Sequence, residues 1–183
     1  MTPYVYHFKP QGMFGDRLFP LNRLKDQHPA VYEEHVKKYK GRERLLSREI
    51  PLLNCLWNDV LHISPIHPQL VMDTWRAEGL YPATRPAVQI EVYKIPVDLL
   101  TEDTTACYQS FNFDYENYQP ENEKFWAFKK SDYAEQTEVS AKQIEIWTSD
   151  TAKGRRLFWY SHTMHVLAMQ EIDVANCELI TCT

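Results

Sequence analysis

The stretch Asn58-Asp59-Val60-Leu61-His62-Ile63-Ser64-Pro65-Ile66-His67-Pro68 changes its structural period within eleven residues. Val60 to Ser64 reads as a strand, with β-branched and apolar residues around a histidine. Pro68 then stands where a helix can begin, since proline fits the first helical turn. Leu70, Val71, Thr74 and Trp75 recur at helical spacing behind it, and Gly79 closes the run.

Upstream, Tyr4-Val5-Tyr6-His7-Phe8 alternates and predicts a first strand. Pro10, Gly12 and Gly15 make Lys9 to Phe19 a loop, and Pro20 opens a short helix through Lys25. Pro29 begins another helix, whose Val31, His35, Val36 and Tyr39 recur at helical spacing before Gly41; a further helical piece runs to Arg48. Downstream, Ala87 to Ile95 alternates up to Pro96. Lys142 to Trp147 alternates too, with Gln143, Glu145 and Trp147 on one face and Ile144 and Ile146 on the other, which predicts a strand. Leu157 to Tyr160, His165 to Met169 and Leu179 to Cys182 are strand-like. Helices in the first half and strands in the second predict a single α+β domain over residues 1–183, with helices packed on a mixed or mostly antiparallel sheet.

A chain of 183 residues buries a core without staples, and 44% hydrophobic with 25% charged residues is ordinary for a globular protein. The net charge of −5 disfavours wholesale binding to a nucleic-acid backbone. The acid is concentrated: from Asp98 to Glu138, ten acidic residues stand against three lysines. Residues 111–138 are acidic and rich in rings, show no steady period, and predict a long loop of the kind that serves as a lid or docks a partner, here a basic protein. Lys37-Lys38-Tyr39-Lys40-Gly41-Arg42-Glu43-Arg44 is the one basic stretch; it could meet a phosphate, and it reads first as a solvated helix face. Cys55, Cys107, Cys177 and Cys182 have neither disulfide-framework nor zinc-site spacing. With no leader and no apolar run of membrane-spanning length, the expectation is a reduced, cytoplasmic protein.

Glu145 and Gln143 project the same way from the expected late strand, where a carboxylate serves as a general base or stabilises a developing cation. His7, between Tyr6 and Phe8, is placed to bond a ligand hydroxyl or to shuttle a proton. His62 with His67, and His162 with His165, lack metal-ligand spacing with a carboxylate at a matching offset, so no metal is expected. Cys55 reads as a buried structural thiol and Asp59 as a turn or histidine-orienting residue.

Together, the opening Tyr-x-Tyr-His-Phe strand, the helical region, a strand leading into a Pro-bounded turn and a late Gln-x-Glu segment resemble the ADP-ribosyltransferase fold. The resemblance implies an NAD-consuming transferase. It implies that His7 contacts the nicotinamide-side ribose, that Tyr93 or Tyr81 stacks on nicotinamide, and that Ser64 and Gln143 help bind NAD. Glu145 would stabilise the oxocarbenium-like transition state. The stretch Pro51 to Asp59 also looks like small bacterial proteins, a likeness that gives no function. Two other functions fit the residues: an interaction domain using 111–138, and a histidine-dependent hydrolase or nuclease using His62, His67 or His162 with Asp59.

Overall fold

The structure, a computed structural model, describes residues 3–13, 15–81, 89–110, 119–155, 157, 159 and 163–183. Its elements run β1 (Tyr4–Phe8), β2 (Arg17–Leu18), α1 (Leu21–Gln27), α2 (Pro29–Val36), β3 (Glu49–Ile50), β4 (Cys55–Leu56), β5 (Leu61–Ile63), α3 (Pro68–Ala77), β6 (Ile90–Pro96), β7 (Thr105–Ser110), β8 (Glu123–Ala127), α4 (Ala141–Ala152), β9 (His165–Ala168), β10 (Ile172–Asp173) and β11 (Glu178–Cys182). The fold is α+β, as expected.

Two antiparallel sheets carry the architecture. One has the order β1-β6-β11, the other β5-β9-β7-β8. They are stitched together where Tyr6 and Ser64 exchange both backbone hydrogen bonds, at 2.8 Å each. Alternation along the strands then assigns each residue to a layer. Val5, Tyr93 and Ile95 of the first sheet meet Leu61, Ile63, Cys107, Val166 and Ala168 of the second in one buried cluster. On the far side of the first sheet, Tyr6, Val92 and Cys182 pack against Val71, Met72 and Trp75 of α3 and Trp147 of α4. On the far side of the second, Val60, Tyr108 and Leu167 pack under Leu21 of α1 and Tyr39. The order is therefore helices, sheet, sheet, helices.

Two expectations are corrected. Lys142 to Trp147 lies inside a helix, α4, and not a strand. Six alternating residues fit either period, and the longer window decides: Gln143, Ile146, Trp147 and Asp150 are the buried positions, at helical spacing. Ser140 caps the helix by accepting from the Gln143 N–H at 3.2 Å. Ser140-Ala141-Lys142-Gln143 has the form of a capping box. Nor is 111–138 one long loop. Residues 111–118 lie outside the described residues, but β8 pairs with β7 along its length and Phe128 is core. Tyr133 donates to the Tyr4 carbonyl, and Glu135 accepts from the Tyr4 N–H at 2.6 Å and the Tyr6 hydroxyl at 3.0 Å. The expected strand over 157–160 and His162 also fall, wholly or in part, outside the described residues.

Trp147 is fully buried beside Trp75, ring centroids 5.4 Å apart, and its indole N–H has no hydrogen-bond partner among the described residues. Its value is volume. Trp147→Ala should cost about 3–5 kcal/mol, while Trp147→Phe should cost less than about 1.5 kcal/mol. Urea denaturation of both variants checks this; similar losses would refute it.

Candidate functional site

A cavity of about 280 Å³ opens between the α1–α2 hairpin, the loop after β1 and the start of β5. Its floor includes Leu18, Leu21, Val60 and Leu61. Four histidines line it: His7, His28, His35 and His62. Lys38 and Asn58 complete its polar lining together with Arg17, and no aspartate or glutamate lines it among the described residues.

Local structure explains each placement. His28, Val31, His35 and Lys38 recur every three or four residues along α2 and the 3-10 turn that extends it, so one stripe faces the cavity. The His35 Nε2–H donates to the Gln11 carbonyl at 3.2 Å and ties that stripe to the loop after β1. Asn58 is held by its backbone: its carbonyl accepts from the Asn22 N–H, and neighbouring Asp59 accepts from the Asn22 amide and the Leu56 N–H. Asn58 is only 2% exposed, and among the described residues neither its amide nitrogen nor its oxygen meets a hydrogen-bond partner.

The two inner histidines differ. The His7 Nδ1–H donates to the Phe8 carbonyl at 2.6 Å, which leaves Nε2 as the nitrogen with a lone pair. Burial lowers its pKa to about 4; the Phe8 carbonyl opposes that shift and the Lys38 ammonium adds to it. His62 has both nitrogens engaged. Nε2 donates to the Trp57 carbonyl at 3.0 Å, and Nδ1 lies 3.4 Å from Nδ1 of His165. Burial first, then His165, holds His62 well below an ordinary histidine.

Behind His62 runs a buried network. Trp57 packs against His62 with the rings tilted at 49°, and lies 3.9 Å under the Arg48 guanidinium. Arg48 pairs with Glu123 at 2.6 Å, and the Tyr108 hydroxyl donates to the same carboxylate at 2.6 Å. The network fixes the wall of the cavity and leaves His7 and Asn58 as its open polar groups. Lys38 is more than a third exposed, and protein crowding, followed by the Arg42 charge, still lowers its pKa.

The expected site residues are only partly brought together. His7 lies directly opposite Tyr93 across the β1–β6 ladder, and the Tyr93 hydroxyl reaches Met13, which lines the cavity. Ser64 bonds Tyr6 through its backbone and turns its hydroxyl to the Ile66 carbonyl. Glu145 and Gln143 are absent from the lining; Glu145 lies on the exposed face of α4, paired with Lys142 at 2.9 Å. Gln143 is buried beside a separate hollow of about 60 Å³ with Trp147 and Thr163. Tyr81 packs against the α3–α4 cluster. His67 caps α3, its Nδ1 accepting from the Gln69 N–H at 3.1 Å. Burial and Asp59 push the Cys55 thiol up to about 11, so it is no nucleophile at neutral pH.

The sequence points to Asn58 only as part of the stretch that leads into β5, and to Lys38 only as part of a basic stretch that could meet a phosphate. The signal for Lys38 is the stripe His28, Val31, His35, Lys38, which puts polar groups on a helix face that also packs. Asn58 carries no signal beyond its neighbours. Among the described residues no group of three or more histidines, cysteines or carboxylates is placed to hold a metal ion, and no helix is long and apolar enough to cross a membrane. No protein-family model, no curated protein and no solved structure matches this chain.

The histidines set a pH dependence. The unfolded chain takes up protons as pH falls through about 6.5, whereas burial keeps His7 neutral until about 4 and holds His62 well below an ordinary histidine. Stability is therefore fully present above about pH 6.5 and is lost as pH falls from there through about 4, at up to roughly 1.4 kcal/mol per pH unit for each ring. Urea midpoints measured from pH 7.5 to 4.5 test it, and His7→Phe should flatten the profile. A wild-type profile level over that range would show that the rings are not held neutral.

Proposed function

We propose that the protein binds a small organic molecule in the cavity between the α1–α2 hairpin and strands β1 and β5. The observation that carries this is Asn58. A buried carboxamide with both atoms unbonded costs roughly 1–3 kcal/mol, and the fold positions it at a cavity wall without supplying a partner. His7 Nε2 adds a second acceptor. A ligand would accept from and donate to Asn58 and donate to His7, its body covered by Leu18, Leu21, Val60 and Leu61. The volume suits a ring with one short polar arm.

Benzamide and benzoate at millimolar concentration should move the His7 ring and Asn58 side-chain NMR signals. Asn58→Leu should abolish that response and raise stability by about 1–3 kcal/mol, because it removes the unpaired amide. Silence from both probes in the wild-type chain overturns the reading, as does undiminished binding in the variant.

A second reading, ADP-ribosyl transfer from NAD, is supported by the pairing of His7 with Tyr93 and by the bridge between Tyr6 and Ser64. It calls for a carboxylate, and Glu145 is on the exposed face of α4. NAD at about a hundred times its dissociation constant adds about 2.7 kcal/mol, and each kcal/mol moves a chain of this size by about 2–4 °C. A melting temperature raised by several degrees in millimolar NAD supports this reading; an unchanged one removes it.

A further inference from the structure

Resting on the cavity reading above, we infer that the ligand is an organic anion, a carboxylate or phosphate monoester on a compact apolar body, and that Lys38 selects it. The lining holds two cationic side chains, four histidines and no carboxylate among the described residues. One of the two cations is already neutralised: Arg17 lies 3.5 Å from Glu171 and 3.7 Å from Asp173. Among the described residues Lys38 has no carboxylate partner. Its ammonium lies 5.2 Å from the ring of adjacent Tyr39, and the charged group felt most strongly beside it is Arg42, a like charge.

The groups around the partly exposed ammonium make this an anion site. His7 and His62 are each affected by the charge of Lys38, so all three share one field. Both rings are held neutral when nothing is bound; an anion beside Lys38 offsets the ammonium field that keeps His7 unprotonated, so that Nε2 can take up a proton and donate to it. Asn58 can donate from its amide nitrogen to the same anionic oxygen while its own oxygen accepts from a second ligand group. The leucine and valine floor takes the uncharged remainder. A neutral ligand would satisfy Asn58 and His7 but leave Lys38 unmatched.

The test uses probes of one shape and different charge: benzoate, its neutral counterpart benzamide, and phenyl phosphate, titrated into the full chain by NMR or calorimetry. A charge-assisted hydrogen bond gains about 1.4 kcal/mol over a neutral one, or about tenfold in affinity. At least one anion should therefore bind about tenfold tighter than benzamide. Lys38→Met should bring the anion and benzamide to parity, and Lys38→Arg should keep the preference. The tighter of benzoate and phenyl phosphate identifies the headgroup. Benzamide binding as well as both anions, with the response still lost in Asn58→Leu, overturns the anion inference and leaves the cavity reading standing. A preference that survives Lys38→Met also overturns it. No binding by any of the three removes both.

Discussion

The reciprocal backbone bonds between Tyr6 and Ser64 are the constraint on which the rest of the structure depends. Without them the two sheets would be separate units, each with an open edge. With them, Val5 and Tyr93 of one sheet face Ile63 and Val166 of the other across a shared core. Further bonds guard the joint. The Ser64 hydroxyl bonds the Ile66 backbone, which turns the chain toward α3, and the Glu135 carboxylate holds both Tyr4 and Tyr6. Pro65 at this turn donates no backbone hydrogen bond, and its carbonyl accepts from Gln136. The joint also brings His7, one residue after Tyr6, toward His62, two residues before Ser64.

The cavity then follows from how the second sheet is covered. Leu61 and Ile63 point into the core between the sheets, so His62 must point out toward the helices, where Trp57 and His165 receive it, with Tyr108 against His165 behind. The α1–α2 hairpin closes over this face but presents His28, His35 and Lys38 along with its apolar residues. A stripe of mixed character cannot pack as densely as one of leucines, and the gap it leaves is the cavity. Asn58 sits unbonded at its wall, against the rule that buried amides are paired. Such local departures from good packing concentrate where a chain binds something.

Most of the fold was legible in the sequence, and the exceptions have physical causes. Pro29, Pro68 and Gly79 mark helix ends because their backbone limits act locally, and the structure places α2 and α3 between them. The strand expected at Lys142 to Trp147 failed because six residues cannot separate a period of two from one of 3.6; only Ser140, Gln143 and Asp150 beyond them reveal the helix. β7 and β8 were missed because their pairing is what makes them strands: Thr105 to Ser110 and Glu123 to Ala127 satisfy each other's backbone across an intervening segment. His7 was legible as a strand residue with an available ring. That it would share a cavity with Asn58 and Lys38 was not, since a joint between two sheets and a helix stripe bring them together from distant parts of the chain.

The chain is acidic overall, at net −5, so carboxylates are plentiful, and several lie on elements that border the site. Four of these are committed elsewhere. Asp59 holds Asn22 and the Leu56 N–H; Glu123 is locked to Arg48 and Tyr108; Glu171 and Asp173 take Arg17. Any one of them turned toward Lys38 would have closed the site with an internal ion pair. A protein that needed only a stable hairpin would gain from such a pair or from an apolar residue at position 38. This chain instead keeps a cation, two neutral imidazoles and an unbonded amide around one small volume, and spends its nearby carboxylates on holding the walls in place.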